Sequence, residues 1–277
     1  MAFLAVPDPY DFALSTERYR AFGPDLANLW HDGSLHRAVG GRGVRISAAP
    51  GGVDVEPLDD DIGPEVATLL GLAFDLDEFA AFAKSDAVLA RLVPALSGFR
   101  PPLNPDPFET LVTSITAQQV SLRSAFAVRN RLIEAFGRRV GTAWEFPRAE
   151  RLAKADESEL TALGFSRRKA EYVLHLARDE PPWDELRELP DEDVKARLVR
   201  IRGLGEWTAD WFLARHLARP HAWTAGDLGL VKAVGLFYFD GARPSVADVR
   251  QFAARFAPFE NLAAHYLLTG ARVVPAG

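Results

Sequence analysis

Val199-Arg-Ile-Arg-Gly-Leu-Gly-Glu-Trp-Thr-Ala-Asp-Trp-Phe-Leu213 is the stretch on which the fold turns, with Asp227 fourteen residues beyond it. A charged, periodic segment ends at Ile201, a Gly-x-Gly turn follows at Gly203 and Gly205, and a second helix begins at once. The turn is too short for a linker and too rich in glycine for a helix interior. Without Cβ atoms, its backbone N–H groups can come close to a partner. They stand at a helix N-terminus, where unsatisfied amides and the helix dipole attract an anion such as phosphate. Downstream, Thr224-Ala-Gly-Asp227-Leu-Gly-Leu-Val-Lys232 puts one carboxylate at the start of the next helix. A phosphate-gripping hairpin followed by a lone carboxylate is the pattern of an enzyme acting on nucleic acid. The plainer reading of Asp227 is an N-cap, and one residue can serve both purposes.

The surrounding composition is that of an ordinary globular protein, 48% hydrophobic and 25% charged over 277 residues. The absence of cysteine excludes disulfides, thiolate zinc sites and an iron–sulfur cluster. The six histidines show no metal-ligand spacing. Met1-Ala-Phe-Leu-Ala-Val-Pro7 is too short and lacks the basic flank of a signal segment, and no run reaches membrane-spanning length. The expectation is a cytoplasmic protein without membrane contact. The net charge of −6 is distributed unevenly: residues 1–90 carry −9, residues 91–178 carry +5 and residues 179–277 carry −2. The middle segment holds Arg123, Arg129, Arg131, Arg138, Arg139, Arg167, Arg168 and Lys169, which suits local phosphate contact better than a diffuse basic surface; solvated helix faces are the plainer alternative.

Working outward, residues 1–62 read as an antiparallel sheet domain. Ser34–Val39, Val44–Ser47 and Val53–Val55 are β-prone runs separated by glycine-rich turns. From Pro64 the apolar period becomes helical, with Val66, Leu69, Leu70, Ala73 and Phe74, and the chain is expected to be almost entirely helical thereafter. Asp106-Pro107 and Ser121 are helix starts on either side of a break at Gln118-Gln119. The predicted architecture is mainly α with an N-terminal antiparallel β-sheet, an α+β chain. Residues 63–277 form its helical domain, and the two-helix hairpin spans 191–218.

The hairpin and its distal Asp resemble the helix-hairpin-helix DNA glycosylases, whose signature is Leu-Pro-Gly-x-Gly followed by a catalytic Asp. Three further segments resemble the bacterial 3-methyladenine DNA glycosylase II type: Pro9-Tyr10-Asp11-Phe12, Thr113-Ser-Ile-Thr-Ala-Gln-Gln-Val-Ser121, and Leu163-Gly-Phe-Ser-Arg-Arg-Lys-Ala170. The matches run co-linearly over nearly the whole chain. The resemblance implies a helix-hairpin-helix glycosylase fold, damaged double-stranded DNA as partner, a monomer, and no cofactor. It allows a monovalent cation on hairpin backbone carbonyls, although no side chain signals a metal.

On this resemblance Asp227 is the catalytic residue, stabilising the sugar cation and orienting the attacking water. Trp207 and Trp211 lie four apart on one helix face and line a pocket whose aromatic wall favours cationic alkylated bases; core packing is the competing reading. Strand-cleaving relatives place a lysine where Trp207 stands, which implies base hydrolysis without lyase chemistry. Gln118 and Gln119 mark the place where a side chain wedges into the duplex as the base is flipped out; a polar turn is the alternative. DNA contacts are expected from these two glutamines, Arg202, Gly203, Gly205, Arg167 and Lys169. Arg202 replaces the family proline, and Leu268 stands where close relatives carry a pocket tryptophan. Those departures leave three functions open: a glycosylase for alkylated purines, one for uracil or an oxidised base, and a non-catalytic DNA-binding module.

Overall fold

The computed structural model describes residues 2–274, so the outermost residues of both expected domains lie outside it. A five-stranded antiparallel sheet opens the chain, in the order β1-β5-β4-β3-β2, built from Ala2–Ala5, Leu29–His31, Ser34–Val39, Arg42–Ala49 and Gly52–Glu56. In β4, Val44 and Ile46 point inward while Arg45 and Ser47 face outward, the two-residue alternation of a sheet with one wet face. Leu35 opposite Ile46, and Ile46 opposite Val55, carry the apolar stripe across three strands. The loop joining β3 to β4 is Gly40-Gly41, both at positive φ (54° and 76°), which fits a tight primed turn. The edge strands β1 and β2 were not anticipated, being too short to show a period.

The core beneath the sheet combines Leu35, Val39, Val44, Ile46, Val53 and Val55 with Ile62, Val66, Leu69 and Leu70. The last four belong to the helix Ile62–Leu69 and its C-terminal turn. The sheet layer therefore takes in the first helix beyond the expected boundary at residue 62, because a single sheet face needs a partner to bury it.

The helical part has two further cores. One is built on the helices Pro107–Ala117, Leu122–Phe136, Arg167–Arg178, Asp191–Val199 and Glu206–Arg215; the other on Leu228–Tyr238 and Glu260–Val273 with the helices near residues 76–95. The short antiparallel hairpin β6 (Arg138–Val140) and β7 (Ala143–Glu145), beside the first sheet, is the strand structure within this otherwise almost entirely helical region among the described residues. One expectation needs correction. The second hairpin helix ends at Arg215, not near 218, and Ala218 has a positive φ of 54°.

Sheet and helices are joined by a buried ionic network. Arg129 binds both Asp25 and Glu109, and Arg37 reaches Glu109 at 2.9 Å and Asn28 at 2.8 Å. Arg129 is thus withdrawn from the basic surface expected of the middle segment. Arg131, Arg138 and Arg139 remain exposed, although each also makes a surface hydrogen bond within the protein, the first to the Leu163 carbonyl at 2.6 Å.

Candidate active site

The hairpin is locally determined. Its first helix carries Asp191, Glu192 and Asp193 in the opening turn, favourable to the helix dipole, and buries Val194 and Leu198. At the turn Gly203 takes φ +93°, and the Tyr172 ring occupies the place where a Cβ would stand. Leu204 plugs the turn, and Gly205 is an extended, exposed N-cap with open space around its Cβ position. No side chain caps the following helix, so its first amides face outward and are available to an anion.

Three further segments gather at this turn. Gln118 is half-buried and donates Nε2–H to the Gly203 carbonyl at 2.9 Å, while Gln119 is exposed at φ +56°. Val120 and Leu122, also exposed, flank it as aliphatic surface that the sequence reading did not single out. Lys169 turns inward, donating Nζ–H to the Thr116 carbonyl at 2.8 Å, and burial lowers its pKa. It braces the end of one helix, whereas its neighbours Arg167 and Arg168 are exposed and make no side-chain hydrogen bond or ion pair among the described residues. Arg202 is exposed but paired with Glu171 at 2.7 Å.

Asp227 caps the helix Leu228–Tyr238: Oδ1 accepts from Gly229 N at 2.7 Å and from Leu230 N at 3.2 Å. Oδ2 has no partner among the described residues, so the cap engages one oxygen and leaves the other unpartnered. The carboxylate sits at the seam between the two helical cores. A Cβ added at Gly226 would lie 3.4 Å from Trp207 Cδ1, and one at Gly229 would lie 3.0 Å from Asp227 Oδ1 and 3.1 Å from Leu268 Cδ2. The two glycines thus bring Trp207, Asp227 and Leu268 around one small space. The Trp207 and Trp211 rings are 6.4 Å apart and inclined by 33°, both half-buried, forming one wall.

That wall continues in an unanticipated direction. Arg215 follows Trp211 by four residues on the same helix face, and its Nη1 donates to His265 Nδ1 at 2.9 Å. Burial pulls the Arg215 pKa below its ordinary value, the nearby Arg18 charge lowers it further, and the Asp227 charge opposes both. Burial and the Arg215 charge push His265 well down, so it is a neutral acceptor. Arg272 binds the Leu268 carbonyl at 3.0 Å and Glu17 at 3.0 Å, holding the segment that carries Glu17 and Arg18 against the helix Glu260–Val273.

Residues 112–258 match the family described as HhH-GPD superfamily base excision DNA repair protein. A DNA-3-methyladenine glycosylase of Bacillus subtilis is 27% identical over 226 residues, covering 77% of this chain and 75% of that protein. The solved 3-methyladenine DNA-glycosylase from Archaeoglobus fulgidus superposes with a TM-score of 0.89 at 26% identity, over 99% of both chains. A Schizosaccharomyces pombe 3-methyladenine DNA glycosylase, solved with abasic DNA, gives 0.62 at 26% identity over 69% of this chain and 95% of that one. No helix among the described residues is long and apolar enough to cross a membrane.

Proposed function

Given that the chain belongs to the HhH-GPD superfamily of base excision DNA repair proteins, we propose that it is a monofunctional DNA glycosylase of the 3-methyladenine glycosylase II type. It flips alkylated purines such as 3-methyladenine out of duplex DNA and hydrolyses their N-glycosidic bond, leaving an abasic site. The observation that carries this reading is the Asp227 carboxylate, anchored through Oδ1 with Oδ2 unpartnered, beside Trp207 and Leu268.

As the bond between C1′ and the base nitrogen breaks, its electron pair leaves with the base and positive charge builds on the sugar. The fixed Asp227 carboxylate stabilises that charge and takes a proton from the water that attacks C1′. Trp207 and Trp211 stack the extruded base, with Leu268 closing the pocket. Gln119 enters the gap left in the duplex, while Gln118 holds the wedge turn to the hairpin. The outward amides at Gly205, the turn at Gly203, Arg167 and Arg202 grip the backbone, and Lys169 supports the turn from behind. The Ile201 and Gly203 carbonyls each already accept one hydrogen bond; their second lone pairs suit a monovalent cation, which would add positive charge beneath the same phosphate.

The absence of lyase chemistry rests on Trp207. The helix Glu206–Arg215 contains no lysine, and Lys195 in the preceding helix is held by Asp210 at 3.1 Å. The enzyme acts as a cytoplasmic monomer in this reading. Duplexes with single defined lesions, incubated and then treated with hot alkali, test it. Breaks at a methylated purine only after alkali are expected, and borohydride should trap no adduct. A trapped covalent adduct would overturn the monofunctional assignment, and binding without base release would leave a DNA-binding module.

A further inference from the structure

We infer that a cavity at the junction of sheet and helices receives a basic residue, arginine foremost, presented by a peptide segment of a partner protein. The inference goes beyond the glycosylase reading and does not depend on it. The cavity holds about 440 Å³, within the range of small-ligand sites. It is lined by Arg37 of β3, Glu65 of the helix Ile62–Leu69, Asp106 at the start of the helix Pro107–Ala117, and the stretches around Trp144 and Trp183. Gln118 follows the other end of the helix Pro107–Ala117, about 16 Å away, so an occupant leaves the hairpin turn free.

Charge and ring placement define the occupant. Arg37 and Arg129 are balanced by Asp25 and Glu109, and Glu145 holds Arg138 and Arg148. Glu65, Asp106, Glu150 and Glu180 line the same cavity and make no ion pair among the described residues. These carboxyl groups are thus without a counter-charge. Burial raises the pKa of Glu65 and, with the Glu109 charge second, raises that of Asp106 to about 6. A cation placed among them relieves that cost. The Trp144 and Trp183 rings are half-buried, and Trp183 Nε1–H donates to Glu180 at 3.0 Å, setting a carboxylate beside an indole. A guanidinium stacks on such a ring while its N–H fork meets carboxylates, which an ammonium does less well.

A positive charge alone does not complete the lining. Arg37 is 5% exposed, and its Nε–H has no acceptor, although both terminal nitrogens are engaged, by Asn28 and Glu109. A buried donor left empty is costly, and a carbonyl oxygen satisfies it. Guanidinium and carbonyl together describe an arginine within a peptide. Agmatine has the charge without the acceptor, and free arginine adds a carboxylate that the surrounding acids repel.

A chemical-shift titration of the full chain with N-acetylargininamide tests this, beside agmatine, free arginine and the uncharged N-acetylcitrullinamide. The argininamide at millimolar concentration should shift the indole N–H signals of Trp144 and Trp183 saturably, and should bind more tightly than the other three. Glu65→Gln combined with Glu180→Gln should weaken its binding about 2- to 30-fold, the span of two partly exposed charge pairs. The thermal melt and the excision of a lesion duplex should not change. No shift at Trp144 and Trp183, equal binding of the citrullinamide, or a double variant that binds as well as wild type would each overturn the inference, whatever the outcome for excision. Agmatine or free arginine binding as tightly as the argininamide would overturn the assignment to a peptide.

Discussion

Gln118 Nε2 donates to the Gly203 carbonyl across 2.9 Å, joining the break between two helices to the turn of the hairpin 85 residues later. Gly203 is in turn confined by Tyr172, and Glu171 beside that tyrosine holds Arg202. The turn at Gln118-Gln119, the hairpin turn and the Arg167–Arg178 helix are therefore one mechanical unit. Its rigidity would matter to the proposed mechanism, in which an extruded base is reached only if the wedge and the backbone grip keep their spacing.

Replacing Gln118 by Ala removes that link and leaves Gln119 in place. One hydrogen bond of this kind contributes about 0.5–1.5 kcal/mol, so affinity for lesion and undamaged duplex should fall together, by roughly 2- to 12-fold on the same scale. A binding titration on both duplexes checks it. Loss confined to the lesion duplex would place Gln118 in the base pocket instead.

Gln119 is better probed by glycine than by alanine. Its φ of +56° lies where a side chain is disfavoured, so Gln119→Gly removes the wedge and suits the backbone at the same time. Thermal stability should hold or rise slightly. Excision of a well-paired lesion should drop more than excision of the same lesion in a mismatch, since an unpaired base leaves the stack more readily. Equal losses on both would identify Gln119 as a turn residue only.

Asp106 supplies a test of the sheet–helix junction through pH. Burial, with the Glu109 charge second, raises its pKa from 3.8 to about 6, although it also caps the helix Pro107–Ala117. The fold thus favours the protonated acid. This contribution is complete below the unfolded pKa and is lost as pH rises through about 6. Asp106→Asn keeps the cap without the charge, so it should be more stable than wild type at pH 8 by about 1–2 kcal/mol and no more stable near pH 4. Denaturant melts at both values decide it; an equal advantage at both would refute the burial assignment.

The parts legible in the sequence are those specified over a few residues. The hairpin, the cap at Asp227 and the Trp207–Trp211 face follow from glycine placement and helical spacing. Arg215 was legible by the same arithmetic, four residues beyond Trp211, but a lone arginine near a helix end reads as a solvated charge. Arg129 misled for a related reason: its partner Asp25 is 104 residues away, so nothing local distinguishes it from exposed Arg123. Arg18 depends on Glu17 meeting Arg272 from the other end of the chain, a relationship with no local signature. The Arg138–Glu145 hairpin is three residues per strand and two of its positions are arginine, too little for an alternating pattern to register.

The sharpest prediction returns to Asp227. Asp227→Asn retains an oxygen in the Oδ1 position, so Gly229 N and Leu230 N keep their acceptor and the helix Leu228–Tyr238 should form normally. What disappears is the negative charge that the proposed mechanism sets against the sugar, and loss of a preorganised stabilising group costs about 10²–10³ in rate or more. Base release should therefore be nearly abolished while affinity for lesion DNA is kept or improved, because binding uses the hairpin amides and the aromatic wall. Single-turnover excision and a binding titration on one lesion duplex, with a thermal melt of the variant, measure all three quantities. A folded variant that still excises at the wild-type rate would reduce Asp227 to a helix cap and end the proposed mechanism.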